Sequence, residues 1–198
     1  MKLVLASKNA KKMVEMSDIL SHLGVEVCGQ AEAGVDVDVE VEETGTTFEE
    51  NSLLKAKAVM EASGLPAVAD DSGLCVDCLN GAPGVYSARY GGEGLDDAAR
   101  YRLLLDNMRG QMTRAAKFVS VITCCFPNGD VLTARGECPG TIAYAPMGEG
   151  GFGYDPVFFV PELKKTFAQL TAEEKNAVSH RGKALEAFQV KLEEYLNK

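Results

Sequence analysis

The sequence lacks any apolar stretch that could cross a membrane. A membrane-spanning helix needs about 20 consecutive apolar residues, and no run in the 198 residues approaches that length. The opening residues 1–6 become polar too early for a secretory signal, and they predict a first strand. We therefore expect a cytoplasmic protein that does not bind membranes.

Positive charge is also scarce. The chain has 20 lysines and arginines against 29 acidic residues, a formal net charge of −9. Binding to duplex nucleic acid relies on many basic side chains that neutralise phosphates, so we expect no nucleic-acid partner. A small anion can still bind where lysines and arginines cluster, or where a metal ion offsets the repulsion.

Known zinc and nucleophile patterns are missing as well. The chain has two histidines, and Cys75 and Cys78 form its one C-x-x-C pair without a second pair at zinc-ligand spacing. We expect the six cysteines to be buried thiols in a reducing cytosol. The sequence contains neither a Ser–His–Asp order around a nucleophile elbow nor a catalytic-cysteine signature.

The hydrophobic pattern predicts alternating strands and helices in a single α/β domain over residues 1–198. With 46% apolar and 25% charged residues, the composition is that of an ordinary globular protein, and no repeat or linker interrupts it. The predicted strands lie at 2–6, 25–30, 34–42, 65–69, 117–126 and from 131 onward. The predicted helices lie at 11–23, 47–63, 96–108 and 181–196, and a capping box at 171–174 starts another.

Residues 7–12 are a candidate anion-binding segment between the first strand and the first helix. They read Ser-Lys-Asn-Ala-Lys-Lys, and the backbone amides of a helix N-terminus bind anions. The two final lysines lie where the helix dipole disfavours positive charge, which suggests that an anion keeps them there. A solvated basic face, with Lys11 near Glu15, is the alternative, and the motif alone does not decide between them.

Carboxylates occur at two places where a metal ion or a general base could be held. Asp70 and Asp71 follow the predicted strand 65–69, and such strand ends lie at the open edge of an α/β sheet. A capping turn is the alternative for this pair. Glu43 continues the valine face of the alternating segment 34–42 and is predicted to point inward, where a carboxylate must be paired or metal-bound.

A glycine-rich segment and a basic segment complete the candidates. Residues 148–153 contain four glycines, and Phe152 or Tyr154 offers a ring on which a base can stack. Residues 179–181, Ser-His-Arg, lie downstream of Lys175 and add cationic groups and donors. A glycine turn with core aromatics and a solvated helix start are the respective alternatives. Carboxylates, lysines and an aromatic loop together outline a nucleoside phosphate site.

Six motifs occur in a fixed order along the chain. They are Ser7-x-Asn9-x-x-Lys12, Glu43-Thr44-Gly45-x-Thr47-Phe48-x-Glu50-Asn51, Ala69-Asp70-Asp71-Ser72-Gly73-Leu74, Gly81-Ala82-Pro83-Gly84-x-x-Ser87-Ala88-Arg89-Tyr90, Gly151-Phe152-Gly153-Tyr154-Asp155-Pro156 and Ser179-His180-Arg181. This series closely resembles the inosine triphosphate pyrophosphatase family, which hydrolyses noncanonical purine nucleoside triphosphates. The resemblance covers about residues 3–188.

The resemblance implies a fold and an activity. The fold is an elongated α/β structure whose mixed sheet and flanking helices form two lobes around a central nucleotide cleft, and the protein is a homodimer that requires Mg²⁺. The activity is hydrolysis of XTP, ITP and dITP to the monophosphate and pyrophosphate, which cleanses the nucleotide pool. A related-fold pyrophosphatase for other modified nucleotides and a non-catalytic nucleotide sensor are the alternatives.

The resemblance also implies roles for individual residues. Asp71 is the general base and a metal ligand, and Glu43 is the second carboxylate toward the metal. Lys11 stands where family members commonly have glycine. The residues implied to bind substrate are Ser7, Lys8, Asn9, Ala10, Lys11, Lys12, Lys55, Ser72, Phe152, Gly153, Tyr154, Asp155, Lys175, His180 and Arg181.

Overall fold

The computed structural model describes residues 1–21, 24–36 and 41–197. This part of the chain contains seven strands in one sheet and five α-helices. The strands are β1 (Lys2–Leu5), β2 (Glu26–Gly29), β3 (Ala67–Val76), β4 (Ala115–Cys125), β5 (Val131–Ile142), β6 (Phe158–Val160) and β7 (Lys165–Thr166). The helices are α1 (Ala10–Ser21), α2 (Phe48–Ser63), α3 (Asp97–Asn107), α4 (Ala172–Val178) and α5 (His180–Leu196).

The sheet is mixed. Its strand order is β2-β1-β3-β4-β5-β6-β7. Strand β1 pairs in parallel with β2 and with β3, whereas β6 pairs antiparallel with β5 and with β7. The predicted mixed α/β sheet with flanking helices is therefore confirmed. The nucleotide cleft implied by the resemblance stays a prediction.

The chain divides into two compact units, and the expected single domain over residues 1–198 stays a prediction. The first unit is built from Met1–Asp71, Ser120–Gly136 and Arg181–Lys198, and the second from Ser72–Val119 and Glu137–His180. Each unit has an apolar core of its own.

The core of the first unit explains why its elements form where they do. Leu3 of β1 is fully buried, and α1 contributes Met16 and Leu20, which lie on one helix face because they are four residues apart. Helix α2 begins at the predicted capping box, in which Glu50 N donates to Thr47 Oγ1 and the Glu50 carboxylate accepts from the Thr47 backbone.

Aromatic rings fill the core of the second unit. Phe118 of β4 meets Phe158 edge-on at a centroid distance of 4.6 Å and lies parallel to Phe167 at 5.6 Å. Tyr154 and Val178 pack in the same core. This core therefore supports both the glycine-rich loop and helix α4.

Two predicted elements are corrected by the structure. The strand predicted at 65–69 does not end at Asp70, because β3 continues to Val76. Its two aspartates are paired with basic side chains, so they can lie inside a buried strand. The strand predicted at 34–42 is wrong at its described ends, because Gly34 closes a turn and residues 41–42 are irregular. Residues 37–40 lie outside the described residues.

The expectation of buried thiols is confirmed for four of the six cysteines and is wrong for the other two. All six cysteines lie in the described part of the chain and form no disulfide. Four of them are buried, while Cys75 and Cys78 are partly exposed. No helix among the described residues has the length and apolar character needed to span a bilayer.

Candidate active site

Residues 7–12 form a capped helix start. Ser7 Oγ accepts a hydrogen bond from Asn9 N at 3.1 Å, and Asn9 Oδ1 accepts from the backbone amides of Lys11 and Lys12 at 3.1 and 3.2 Å. Asn9 is thus the N-cap of α1, whose first turn is fixed by its own side chain. The exposed residues of this segment are Lys8, Asn9, Ala10 and Lys11.

Asp70 is the centre of a buried ion-pair network in the first unit. Its Oδ2 lies 2.7 Å from Lys12 Nζ and 3.2 Å from Arg181 Nη2. Its Oδ1 accepts a hydrogen bond from Ser120 Oγ at 2.6 Å. Arg181 also donates through Nη1 to Glu15. The network therefore connects α1, β3, β4 and α5.

The network holds Asp70 in its charged form. Burial alone would raise the pKa of this carboxyl, but the adjacent Arg181 and Lys12 hold the pKa well below its usual range. Lys12 shows the opposite balance: burial lowers its pKa, Arg181 and Lys55 add to that effect, and Asp70 opposes it. A bound phosphate would favour the charged form of Lys12.

Lys55 of α2 lies between two carboxylates. Its Nζ is 2.8 Å from Asp71 Oδ1 and 3.0 Å from Glu43 Oε1. The Asp71 side chain is 7% exposed, and that of Glu43 is 30% exposed. Glu43 is therefore paired and only partly exposed, although the described residues 41–42 before it do not form the predicted strand.

Asp71 differs from its neighbour Asp70 in both pKa and pairing. Burial raises the pKa of Asp71 despite the attraction of Lys55. Among the described residues, Asp71 Oδ2 is one of the few buried side-chain oxygens or nitrogens without a hydrogen-bond partner. A buried carboxylate oxygen of this kind needs a proton, a water or a cation.

These residues fit a magnesium ion. The described residues contain no cluster of three or more His, Cys, Asp or Glu that could hold a metal by itself. Mg²⁺ does not need three protein ligands, because it usually binds one or two carboxylates and completes its shell with water and substrate phosphates. Asp71 and Glu43 are two such carboxylates, and the unpartnered Asp71 Oδ2 is available to a cation.

The charge balance of the side chains around Asp70 and Asp71 also favours a divalent cation. This group contains three cationic side chains, Lys12, Lys55 and Arg181, and four carboxylates, those of Glu15, Glu43, Asp70 and Asp71. Such a group does not attract a triphosphate by charge alone. A divalent cation that accompanies the phosphates would reverse this balance.

Asp155 organises the glycine-rich loop of the second unit. Its Oδ2 accepts hydrogen bonds from Phe152 N at 3.0 Å and from Lys175 Nζ at 2.8 Å. A side chain at Gly151, whose φ is +69°, would collide with this carboxylate. Gly151 therefore leaves space for the Asp155 carboxylate. A side chain at Gly150 would likewise collide with the backbone of Ala168.

Lys175 and His180 contact aromatic rings. Lys175 is buried, and its Nζ lies 4.8 Å from the centre of the Phe152 ring. His180 is also buried and stacks on Phe118 at 4.6 Å with an angle of 12° between the planes. The structure thus brings Phe152, Asp155 and Lys175 together, with His180 on the aromatic core.

Tyr154 and Gly153 each connect the glycine-rich loop to another segment of the second unit. Tyr154 is buried, and its hydroxyl donates to Ser87 O at 2.6 Å. Burial raises its pKa, so the hydroxyl stays protonated. Gly153 N donates to Asp97 Oδ2 at 2.8 Å. Ser72, also predicted to bind substrate, is half-buried in β3.

Several residues of both groups were missed by the sequence analysis. In the first unit these are Glu15 and Ser120, and in the second Phe118 and Asp97. Each acts through a partner distant in sequence; Ser120, for example, is 50 residues from Asp70. Asp70 is a candidate carboxylate in the sequence, but its pairing with Arg181 and Lys12 is not predicted. The buried serine in the apolar run of β4 is the signal that could have pointed to this network.

The comparison with known families decides the relationship. The model of the Ham1 family matches residues 3–191. This chain belongs to the Ham1 family. The matched range includes every site residue described above.

Relatives of this Ham1 family chain carry a functional name. A dITP/XTP pyrophosphatase of Exiguobacterium sp. is 48% identical over 194 residues, which is 97% of each chain. A dITP/XTP pyrophosphatase of Haemophilus influenzae is 50% identical over 195 residues, which is 96% of this chain and 98% of the relative.

Solved Ham1 structures have the same fold. The Staphylococcus aureus Ham1 protein matches with a TM-score of 0.88 and 43% identity, over 98% of this chain and 100% of that one. A HAM1 protein from Coxiella burnetii matches with a TM-score of 0.89 and 43% identity, over 98% and 99% of the two chains.

Proposed function

We propose that this Ham1 family chain hydrolyses the noncanonical purine nucleoside triphosphates XTP, ITP and dITP to the monophosphate and pyrophosphate, and so cleanses the nucleotide pool. The proposal rests on one observation above all. Asp71 carries an unpartnered buried oxygen and shares Lys55 with Glu43. The relatives of about 50% identity that are named dITP/XTP pyrophosphatase support the substrate class.

The first unit supplies the hydrolytic chemistry in this proposal. Asp71 accepts a proton from the attacking water as the general base. Lys12 and Lys55 hold the phosphates and stabilise the pyrophosphate as it leaves, with the capped start of α1 beside them. Mg²⁺ held by Asp71 and Glu43 would neutralise phosphate charge.

The second unit supplies recognition of the base. The Phe152 ring stacks on the purine, and Asp155 with Lys175 fixes that ring. Xanthine and hypoxanthine carry a carbonyl at C6, where adenine carries an amino group. Loop amides and His180 are the proposed donors to that carbonyl.

The cost of a mismatch gives the expected discrimination. A buried donor that faces an amino group loses its partner, which costs about 1–3 kcal/mol. Two such mismatches correspond to roughly 10²–10⁴-fold discrimination against ATP.

A panel of nucleoside triphosphates with product identification tests this function. We expect ITP, dITP and XTP to give the monophosphate and pyrophosphate far faster than ATP does. Preferential turnover of dTTP or methylated UTP would favour a related-fold pyrophosphatase for other nucleotides. Nucleotide binding without release of pyrophosphate, measured with coupled inorganic pyrophosphatase, would favour a sensor.

The variant Glu43→Gln tests the metal assignment. We expect it to raise the Mg²⁺ concentration needed for the half-maximal rate by about tenfold, because a neutral amide is a weaker ligand for a hard cation. The matched control is Glu42→Gln, because Glu42 is adjacent and exposed. Identical Mg²⁺ titrations of the two variants would show that Glu43 serves only to pair with Lys55.

Assembly and location complete the proposal. We expect a homodimer of about 42 kDa, twice the 21.2 kDa chain, as the resemblance implies. Light scattering at micromolar concentration checks it, and a monomer mass would reject it. We propose a cytoplasmic location because the six cysteines, all within the described residues, form no disulfide.

A further inference from the structure

Asn51 is fully buried on α2, one turn before Lys55. Its Oδ1 accepts a hydrogen bond from Gly45 N at 2.8 Å. Its Nδ2 is buried without a hydrogen-bond partner in the described structure. An unsatisfied buried donor costs free energy that an apolar side chain would avoid. The presence of a carboxamide at this buried position is therefore best explained by the hydrogen bond that its Oδ1 accepts from Gly45 N.

The contact between Asn51 and Gly45 leaves no room for a side chain. A Cβ on Gly45 would lie 2.6 Å from Asn51 Oδ1 and 2.6 Å from Glu50 Cβ. The φ of Gly45 is not in the left-handed region. Glycine is therefore needed here for the close approach and not for the backbone conformation. The loop can therefore lie directly against the first turn of α2.

A second anchor fixes the same loop. Glu50 Oε2 accepts from Thr46 N at 2.6 Å and from Thr46 Oγ1 at 3.2 Å. Glu50 and Asn51 thus hold three consecutive residues, 45–47, against α2. The two anchors differ in burial, because Glu50 is exposed while Asn51 is not. Water competes with the Glu50 contacts but not with the Asn51 contact.

The anchored loop carries Glu43, two residues before Gly45. Glu43 Oε1 lies 3.0 Å from Lys55 Nζ, and Lys55 belongs to the same helix as Asn51. Helix α2 therefore supplies both the lysine and the buried anchor that sets the distance between the lysine and the carboxylate.

We propose that Asn51 is a positioning residue for the metal carboxylate Glu43, and that it acts through its hydrogen bond to Gly45 N. The proposal rests on the proposed function only for the identity of the cation. Partners that hydrogen-bond directly to a ligand typically change metal affinity by 10- to 100-fold. Because Asn51 acts through the loop, we expect an effect at the lower end of this range.

Hydrogen exchange of the Gly45 amide tests the contact without reference to activity. In the full-length Asn51→Ala variant, we expect the Gly45 amide to exchange at least about tenfold faster than in the wild-type protein, because its hydrogen-bond acceptor is gone. Asn51→Asp keeps an acceptor oxygen and is expected to retain protection. The matched control is Ser52→Ala, since Ser52 is equally buried on α2 but bonds to Thr123. Unchanged Gly45 exchange in Asn51→Ala would overturn the proposal.

Calorimetric titration with Mg²⁺, in the presence of an α,β-methylene analogue of ITP, tests the consequence. We expect the half-saturating Mg²⁺ concentration to rise about tenfold in Asn51→Ala and to stay unchanged in Ser52→Ala. Faster Gly45 exchange with an unchanged Mg²⁺ affinity would reject the positioning role. Failure of the proposed function is a separate result: the wild-type protein would then hydrolyse none of ITP, XTP and dITP.

Discussion

Asp71→Asn is expected to fold normally and to hydrolyse ITP at least about 100-fold more slowly than the wild-type protein. The amide keeps an oxygen that can accept from Lys55, but it cannot take a proton from water. Steady-state turnover at saturating ITP and Mg²⁺ measures the loss.

The stability of this variant follows from the same environment. The pKa of Asp71 is raised in the folded protein, so the fold disfavours its charged form. Replacing it with a neutral amide of equal size should therefore change the free energy of unfolding by less than about 1 kcal/mol. Asp77→Asn is the matched control, because Asp77 lies on the same stretch of chain but is exposed. Near-normal turnover in Asp71→Asn would contradict the assignment of the base.

The sequence predicts the elements of this fold well where the signals are local. The capping box at Thr47 and Glu50 places the start of α2 correctly, and the helix ends at Ser63 as predicted, where Gly64 adopts a left-handed conformation. Strand β3 is different, because Asp70-Asp71-Ser72-Gly73 has the composition of a turn. Its continuation to Val76 depends on basic partners such as Lys12 and Lys55, which local propensity cannot include.

The candidate site shows the same limit. Adjacent aspartates look alike in the sequence, yet Asp70 is enclosed by Arg181, Lys12 and Ser120, while Asp71 contacts Lys55. These partners come from distant parts of the chain. The roles taken from the resemblance remain proposals, but the physical difference between the two carboxylates is visible only once the chain is folded.

The glycine-rich loop also depends on tertiary contacts. Its aromatic residues differ in the structure, because Tyr154 is buried and bonded to Ser87 O while Phe152 is half-buried. Its glycines make space for Asp155 and for the backbone of Ala168. Four glycines in six residues indicate a close approach, but they do not reveal which atoms approach.

Asp70→Asn is expected to lower the stability of the protein, whereas Asp71→Asn lowers its turnover. We expect the free energy of unfolding to fall by about 3–5 kcal/mol at neutral pH. The Asp70 side chain is fully buried, and its carboxylate neutralises Arg181 and Lys12. An amide removes this negative charge from beside Arg181, whose side chain is 2% exposed and also pairs with Glu15. Chemical denaturation of both variants at pH 7 measures the difference, and Asp71→Asn serves as the matched control.

The pH dependence of the Asp70→Asn effect gives a second check on the network. The pKa of Asp70 is lowered in the folded protein, so its contribution to stability is complete above the unfolded pKa of about 3.9. It is lost as the pH falls below that value toward the folded pKa, because the unfolded state then binds a proton that the folded state does not. The stability difference between the wild-type protein and Asp70→Asn should therefore be constant from about pH 7 to 5 and shrink below about pH 4. A difference that stays constant down to pH 2 would show that the carboxylate charge does not stabilise the network.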